Sequence, residues 1–287
     1  MTNSVLYETP GPRAKRRAFY ASFGVGAALL AAAAWALIQL GRRGQLTAEK
    51  WGPLIDPTNA TFATLWNFLG QGLLRTLQVA ALAMALSLVI GTALALTRIT
   101  SAAWYRWAVV GVVELLRGIP VVIAIFFAAR VLPELGIDLP TAWYLVIGLT
   151  AYNSVIIAEI LRAGILSLPR GQSEAAYAIG MRRRQVLFSV LLPQAFRSML
   201  PALISQLVVV LKDTSLGFVI GYQEFVRQGQ ISIQELNNPI QAYFVIAVVF
   251  IVVNYALSRV AVFTEHRLSR RSAAGATTLA QREPVGK

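Results

Sequence analysis

The chain has no cysteine, one histidine and few charges: only 14% of its 287 residues are Asp, Glu, Lys or Arg. Without cysteine there is no disulfide, no thiolate nucleophile and no cysteine metal site. His266 alone builds no metal cluster, so neither a metal site nor a catalytic set is expected. No G-x-x-x-x-G-K-[ST] phosphate loop occurs either, so nucleotide hydrolysis is not expected of this chain. Polar stretches stay at about 25 residues or fewer, which leaves no room for a soluble domain. What is present is apolar. Hydrophobic residues make up 56% of the chain, and mean hydropathy is +0.61. Several uncharged runs approach the ~20 residues needed to cross a bilayer as a helix. The expectation is an all-α integral membrane protein.

Six spans are predicted. Residues 1–17 form a polar tail with Arg13, Lys15, Arg16 and Arg17, followed by an uncharged, alanine-rich run at 18–40. That run is long for the core of a cleaved leader and is read as a membrane anchor. A polar connection, 41–64, leads to a second span at 65–99, whose Trp66 is expected at headgroup level. A third runs over 107–131, interrupted by Glu114, Arg117, Gly118 and Pro120; a fourth covers 141–168. The fifth, 185–211, carries Pro193 and Pro201, which are expected to bend it. Residues 214–222 are apolar but too short to span and are read as a re-entrant or surface turn. A polar stretch, 223–238, precedes the last span at 236–258, and a basic tail, 263–287, is expected to be unstructured towards its end.

The net charge of +13 would suggest nucleic acid in a soluble protein. Here its distribution follows topology. With both termini on one side, sixteen of the 26 Lys and Arg fall in that side's segments and six on the other, the positive-inside pattern. Both termini are therefore expected in the cytoplasm. No nucleic-acid partner is expected, and membrane lipid surrounds the chain.

That topology also puts residues 170–184 in the cytoplasm, between the fourth and fifth spans. Pro169 stops the preceding helix. Ser173 is expected to cap a new short helix over 173–181, with Glu174 in its first turn and a flat face of Ala175, Ala176 and Ile179. Gly180 is expected to end it in a left-handed conformation.

The stretch reads Glu174-Ala175-Ala176, three residues, Gly180, nine residues, Val190, one residue, Leu192-Pro193. It resembles the EAA signature of the membrane subunits of binding-protein-dependent ABC importers, with valine where isoleucine is favoured. Arg117-Gly118-Ile119-Pro120 is similar to the RGTP motif of the polar amino-acid permeases. Ala151-Tyr152, Ala158-Glu159, Arg162 and Gly164 resemble their AY…AE..R.G run, and Gly171-Gln172, Leu192-Pro193-Gln194-Ala195 and Lys212-Asp213-Thr214-Ser215-Leu216 fit the same group. The match covers 70–225 in motifs and 65–262 in architecture. The span at 18–40 is an addition to the usual five, similar to the glutamate-type permeases of actinobacteria.

The resemblance implies a permease subunit that moves a polar amino acid such as glutamate. It implies no catalytic residue and no cofactor in this chain. Magnesium ATP would be used by a separate dimer of ATPase subunits, docked on Glu174, Ala175, Ala176 and Gly180. Further implied partners are a second permease subunit, identical or homologous, and an extracellular or periplasmic amino-acid-binding protein. The membrane is the cytoplasmic membrane of a bacterium.

Substrate contacts are less readable. Glu114 with Arg117, and Glu159 with Arg162, stand at i, i+3 and either neutralise each other or serve the pathway. Arg75 has no partner on its own helix and either snorkels to the outer interface or meets an anionic substrate group. Asn153, Ser154 and Gln206, at mid-span depth, either bind an amino-acid zwitterion or hydrogen-bond between helices. Gly111, Gly148 and Gly164 are expected at packing positions. An ion-coupled secondary transporter is the alternative reading; it calls for two related halves with paired broken helices, and no such repeat is present.

Overall fold

The computed structural model describes residues 11–100 and 103–280; within these it gives only the backbone course at 103–106, 108, 109, 261 and 264–280. The helices are α1 (Pro12–Arg42), α2 (Ala48–Ile55), α3 (Phe62–Thr100), α4 (Ala103–Gly118), α5 (Val121–Glu134), α6 (Thr141–Leu166), α7 (Arg170–Ala178), α8 (Arg183–Gln185), α9 (Leu192–Asp213), α10 (Phe225–Leu236) and α11 (Pro239–Ala280). A π-turn, Val186–Leu191, joins α8 to α9, and a 3-10 helix, Thr214–Ile220, follows α9.

Among the described residues, five helices or continuous helical runs are long and apolar enough to cross a membrane: Pro12–Arg42, Phe62–Thr100, Thr141–Leu166, Arg183–Ile220 and Pro239–Val260. A sixth crossing is available only if the pair α4–α5 counts as one, and that pair bends by 102°. The segment read as a single interrupted span at 107–131 is therefore a broken one. Pro120 disfavours helix at Ile119 and has no N–H to continue the ladder, so the chain turns extended at Pro120 before α5 starts.

The fold is organised on α6. Fourteen of its 26 residues are buried, among them Leu145, Leu149, Ile157 and Leu161. It packs against α3, α5 and α9. Two of these contacts need glycine. A Cβ on Gly148 would stand 2.5 Å from the Cα of Ile125 on α5, and one on Gly91 of α3 would stand 2.7 Å from the carbonyl oxygen of Ser154. Small residues let helix backbones meet this closely, and in lipid such packing largely replaces the hydrophobic drive. Gly164 also lies at a contact, against Met199 of α9, whereas Gly111 has open space around it, contrary to its expected packing role.

Proline shapes the start of α9. Pro193 cannot supply the N–H of an ordinary helical turn, and its ring crowds the carbonyl four residues back; the turn before it widens into the π geometry of 186–191.

The polar connection 41–64 is more ordered than its composition suggests. Lys50 Nζ donates to the Asn237 carbonyl at 2.9 Å, Asn238 Nδ2 to the Lys50 carbonyl at 3.0 Å and the Trp66 indole to the Leu54 carbonyl at 2.9 Å. These bonds tie α2 to α3 and to the start of α11, and they give Trp66 a protein partner rather than a headgroup. The apolar piece after α9 is the 3-10 helix, closed by Gly221 at φ +75°. Helix α11 continues through the basic tail to Ala280; the end of that tail, expected to be unstructured, falls at 281–287, which like 1–10 lie outside the described residues. No residue of α1 is buried.

Gly148→Ala should destabilise the chain by about 1–3 kcal/mol, because the clash is with backbone. Gly111→Ala, in open space on a helix, should be neutral or stabilising by up to about 1 kcal/mol. Thermal unfolding of the detergent-solubilised protein separates the two.

Candidate functional site

Helix α7 starts one residue after Pro169, earlier than expected. Pro169 itself is the N-cap, with φ −57° and ψ 133°, and no side chain caps the helix. Ser173 is therefore the fourth helical residue; its hydroxyl donates back to the Arg170 carbonyl at 2.8 Å instead of capping. Glu174 sits beyond the first turn and is exposed. The C-terminal expectation holds: Gly180 has φ +83°, its N–H donates to Tyr177 O at 2.9 Å, and Met181 N–H donates to Ala176 O at 3.1 Å. This is a Schellman ending, which needs a left-handed residue at that position.

The expected flat face of Ala175, Ala176 and Ile179 does not form as one surface. Adjacent residues differ by 100° around a helix, so Ala175 and Ile179 point outward while Ala176 turns inward and is 5% exposed. Ala176 is on the face by which α7 packs on the π-turn. A second tie comes from α9, where Gln194 Nε2 donates to Gln172 Oε1 at 3.2 Å. The outward face carries Glu174, Ala175, Tyr177 and Ile179, the last 79% exposed. Arg170, Arg182, Arg183 and Arg184 are exposed around it. The result is a small apolar platform with one carboxylate, set in a basic rim and fixed to the base of α9.

Above this rim lies an ion cluster. Arg162 Nε donates to Glu159 Oε2 at 3.1 Å, as the i, i+3 spacing suggests, and Arg98 at the end of α3 pairs with Glu159 Oε1. Arg98 comes from 61 residues away, which no local spacing reveals. The cluster bolts α3 to α6 at the end where α7 begins. Glu114 and Arg117 also pair, at 3.4 Å, but both side chains are half exposed or more. Gly118 and Pro120 belong to the α4–α5 break.

The remaining singled-out residues are dispersed. Asn153 and Gln206 are brought together: Gln206 Nε2 donates to Asn153 Oδ1 at 2.6 Å inside the α6–α9 contact, while Asn153 Nδ2 donates to Leu149 O. Ser154 donates to the Ala151 carbonyl at 3.2 Å and is buried. Arg75 Nη1 donates to the carbonyl and the side-chain oxygen of Gln223, both at 3.3 Å, in the loop before α10. Lys212 is exposed at the end of α9, Asp213 is half-buried, and the buried Thr214 hydroxyl donates to Leu211 O at 2.7 Å, where the α-helix tightens to 3-10. Pro193 sits just inside the start of α9.

Glu224 went unnoticed in the sequence. It is fully buried and caps α10, accepting N–H bonds from Val226 at 2.8 Å and Arg227 at 2.7 Å. Burial nonetheless pushes its carboxyl up to about 7, against the lowering effect of those two bonds. The available signal was an acid immediately before the apolar Phe225-Val226, an N-cap pattern inside a stretch read only as polar. A cavity of about 410 Å³ lies between the start of α3 and α10, lined by residues such as Thr61, Phe68, Ser232 and Glu235. None of the predicted site residues lines it.

Glu159→Gln leaves Arg98 and Arg162 of this partly buried cluster facing a neutral group and should cost about 1–2 kcal/mol. Glu114→Gln, at an exposed pair, should cost under about 0.5 kcal/mol. Unfolding midpoints in detergent check the contrast.

Comparison with known proteins fits this arrangement. Residues 87–270 match the family model described as "Binding-protein-dependent transport system inner membrane component". The glutamate transport system permease protein GluD of Corynebacterium glutamicum is 45% identical over 233 residues, covering 80% of this chain and 83% of that protein. The probable glutamine ABC transporter permease protein GlnP of Bacillus subtilis is 35% identical over 196 residues, covering 67% and 89%. Among solved structures, the crystal structure of an amino acid ABC transporter with histidines superposes with a TM-score of 0.67 at 28% identity, covering 72% of this chain and 97% of that one. This chain belongs to the family of inner membrane components of binding-protein-dependent transport systems.

Proposed function

We propose that the chain is the permease subunit of an ATP-driven importer of a polar amino acid, glutamate or a close relative. The observation that carries this reading is α7: a capped, rigid helix whose inward face is locked to the π-turn and α9 and whose outward face is left open. A membrane protein has no internal use for an exposed platform carrying Glu174, Tyr177 and Ile179. A separate ATPase would dock there and bind magnesium ATP, and it would pull on α6 and α9 together as its dimer closes.

In this reading 65–262 forms the transporter core, with α1 as an addition and 263–287 as a basic tail. The basic rim faces the cytoplasm, and both termini lie on that side, which suits the excess of Lys and Arg there. Two permease subunits and two ATPases would complete the transporter, since one chain of five or six crossings is too small to gate a pathway on both sides. An external binding protein would deliver the substrate. The named relatives support the substrate class: GluD is called a glutamate permease, and GltK of Escherichia coli, 30% identical over 208 residues, a glutamate/aspartate import permease. Arg75 would stand near the outer mouth. Asn153, Ser154 and Gln206 would meet substrate only when α6 and α9 part.

Co-expression with a candidate ABC ATPase subunit from the same organism tests the proposal. The purified permease should retain that ATPase, and cells should take up labelled L-glutamate. Glu174→Lys combined with Ile179→Asp should abolish retention while the permease stays in the membrane. Gly180→Val should weaken retention at least tenfold, because a β-branched residue does not tolerate φ +83°. Undiminished retention in both variants would sink the docking claim.

A further inference from the structure

Helix α9 differs from the other long helices in what it leaves exposed. On α3 the exposed large side chains are residues such as Leu82, Leu86, Val89 and Ile90; on α11 they include Phe244, Val248, Ile251 and Val252. Those are surfaces for lipid tails. Over all of α9 only one large apolar residue, Val209, is exposed. Beyond Pro193 in the first turn, the other exposed positions are Arg197, Ser198, Ser205 and Lys212, with Gln194 and Pro201 half-exposed. At the 3.6-residue repeat these fall in one stripe, opposite the buried Ala195, Leu203, Gln206 and Val210.

Lipid is a poor occupant for that stripe. Arg197 and Lys212 are 15 residues apart, about 22 Å along the axis, which is less than the ~30 Å hydrocarbon layer. Among the described residues Arg197 has no ion-pair partner. A bare arginine facing lipid within a span is costly and marks a water-filled path or a ligand. The hydroxyl protons of Ser198 and Ser205 go to carbonyls of their own helix, at 3.1 Å to Ala195 and 2.9 Å to Pro201. Their oxygens keep free acceptor capacity towards the open side. No acidic side chain shares the stripe, so it is cationic at Arg197 and Lys212 with hydroxyls between them, and Val208 and Val209 are its apolar part.

We infer that this face of α9 lines the aqueous route of the transported amino acid, with Arg197 and Lys212 as two cationic stations for its carboxylate. The inference rests on the importer reading and deepens it. The ligand chemistry is the carboxylate: every amino acid brings the one on its α-carbon, and an acidic one brings a second from its side chain. Arg197 lies on the same turn-and-a-half of α9 as Gln194, the residue bonded to α7. The inner station therefore sits beside the element on which the ATPase would pull.

Because the chain has no cysteine, single cysteines report accessibility without background. In membranes of cells making the complete transporter, Ser198→Cys and Ser205→Cys should react with a charged, membrane-impermeant methanethiosulfonate, whereas Leu82→Cys and Ile251→Cys should not. Labelling of the serine positions no faster than of the lipid-facing pair overturns the inference. Arg197→Gln and Lys212→Gln should each lower uptake at least tenfold, with ATPase retention intact and partial recovery in Arg197→Lys and Lys212→Arg. Uptake unchanged in both glutamine variants overturns the stations. Equal losses for labelled L-glutamate and L-glutamine assign them to the α-carboxylate, and a loss confined to glutamate assigns them to the side-chain carboxylate. A wild-type chain that retains no ATPase and imports no amino acid instead counts against the importer reading itself.

Discussion

The close approach of α6 to its neighbours is the constraint on which the rest of the structure depends. Where lipid surrounds the helices, apolar burial alone gives them little reason to prefer one another to the bilayer, and dense contact between small residues supplies it. Gly148 lets the backbone of α5 touch α6, and Gly91 lets α3 reach the Ser154 carbonyl. The hydrogen bond between Asn153 and Gln206 then fixes α6 to α9 in depth and rotation. At one end of this unit the Arg98–Glu159–Arg162 cluster closes the α3–α6 seam. Helix α7 hangs from the same end. A displacement applied to α7 therefore meets a joined body rather than a loose loop.

The two faces of α7 explain why its sequence pattern is divided as it is. Ala176 is small because it turns inward at the contact with the π-turn, and Ala175 is small on the side left open. Gly180 is required by the backbone, since the chain must reverse within one residue to enter α8. Pro193 and the π-turn before it set the angle at which α9 leaves this junction. Each residue type answers a local physical demand, and together the demands make a rigid corner.

Much of this was legible from residues alone. Charge-free runs placed the long helices, since a bilayer imposes a length that few soluble segments meet. Gly180 and the Glu159–Arg162 pair were legible because both are short-range effects. The failures share a cause as well. Arg98 could not be found as the third member of its cluster, because its partner lies on another helix. Ser173 resembled a cap only while the helix was assumed to begin after it; Pro169 had already begun it. Residues 223–238 read only as a polar stretch, yet most of them form α10, whose buried Glu224 and Ser232 are met internally, by the backbone of α10 and by the Gln228 carbonyl at 3.0 Å. Asn153 and Gln206 were recognisable as polar groups in a span, but only the packing showed that they face each other. The open stripe on α9 was hidden for the opposite reason: its residues are unremarkable until their common face is seen to be exposed.

Amide hydrogen exchange on the membrane-embedded permease, with and without its ATPase, addresses the central claim most directly. If α7 is the docking element, amides of 170–181 should exchange markedly more slowly in the complex, while those of α10 exchange as before. Identical exchange across 170–181 in the two samples would contradict it.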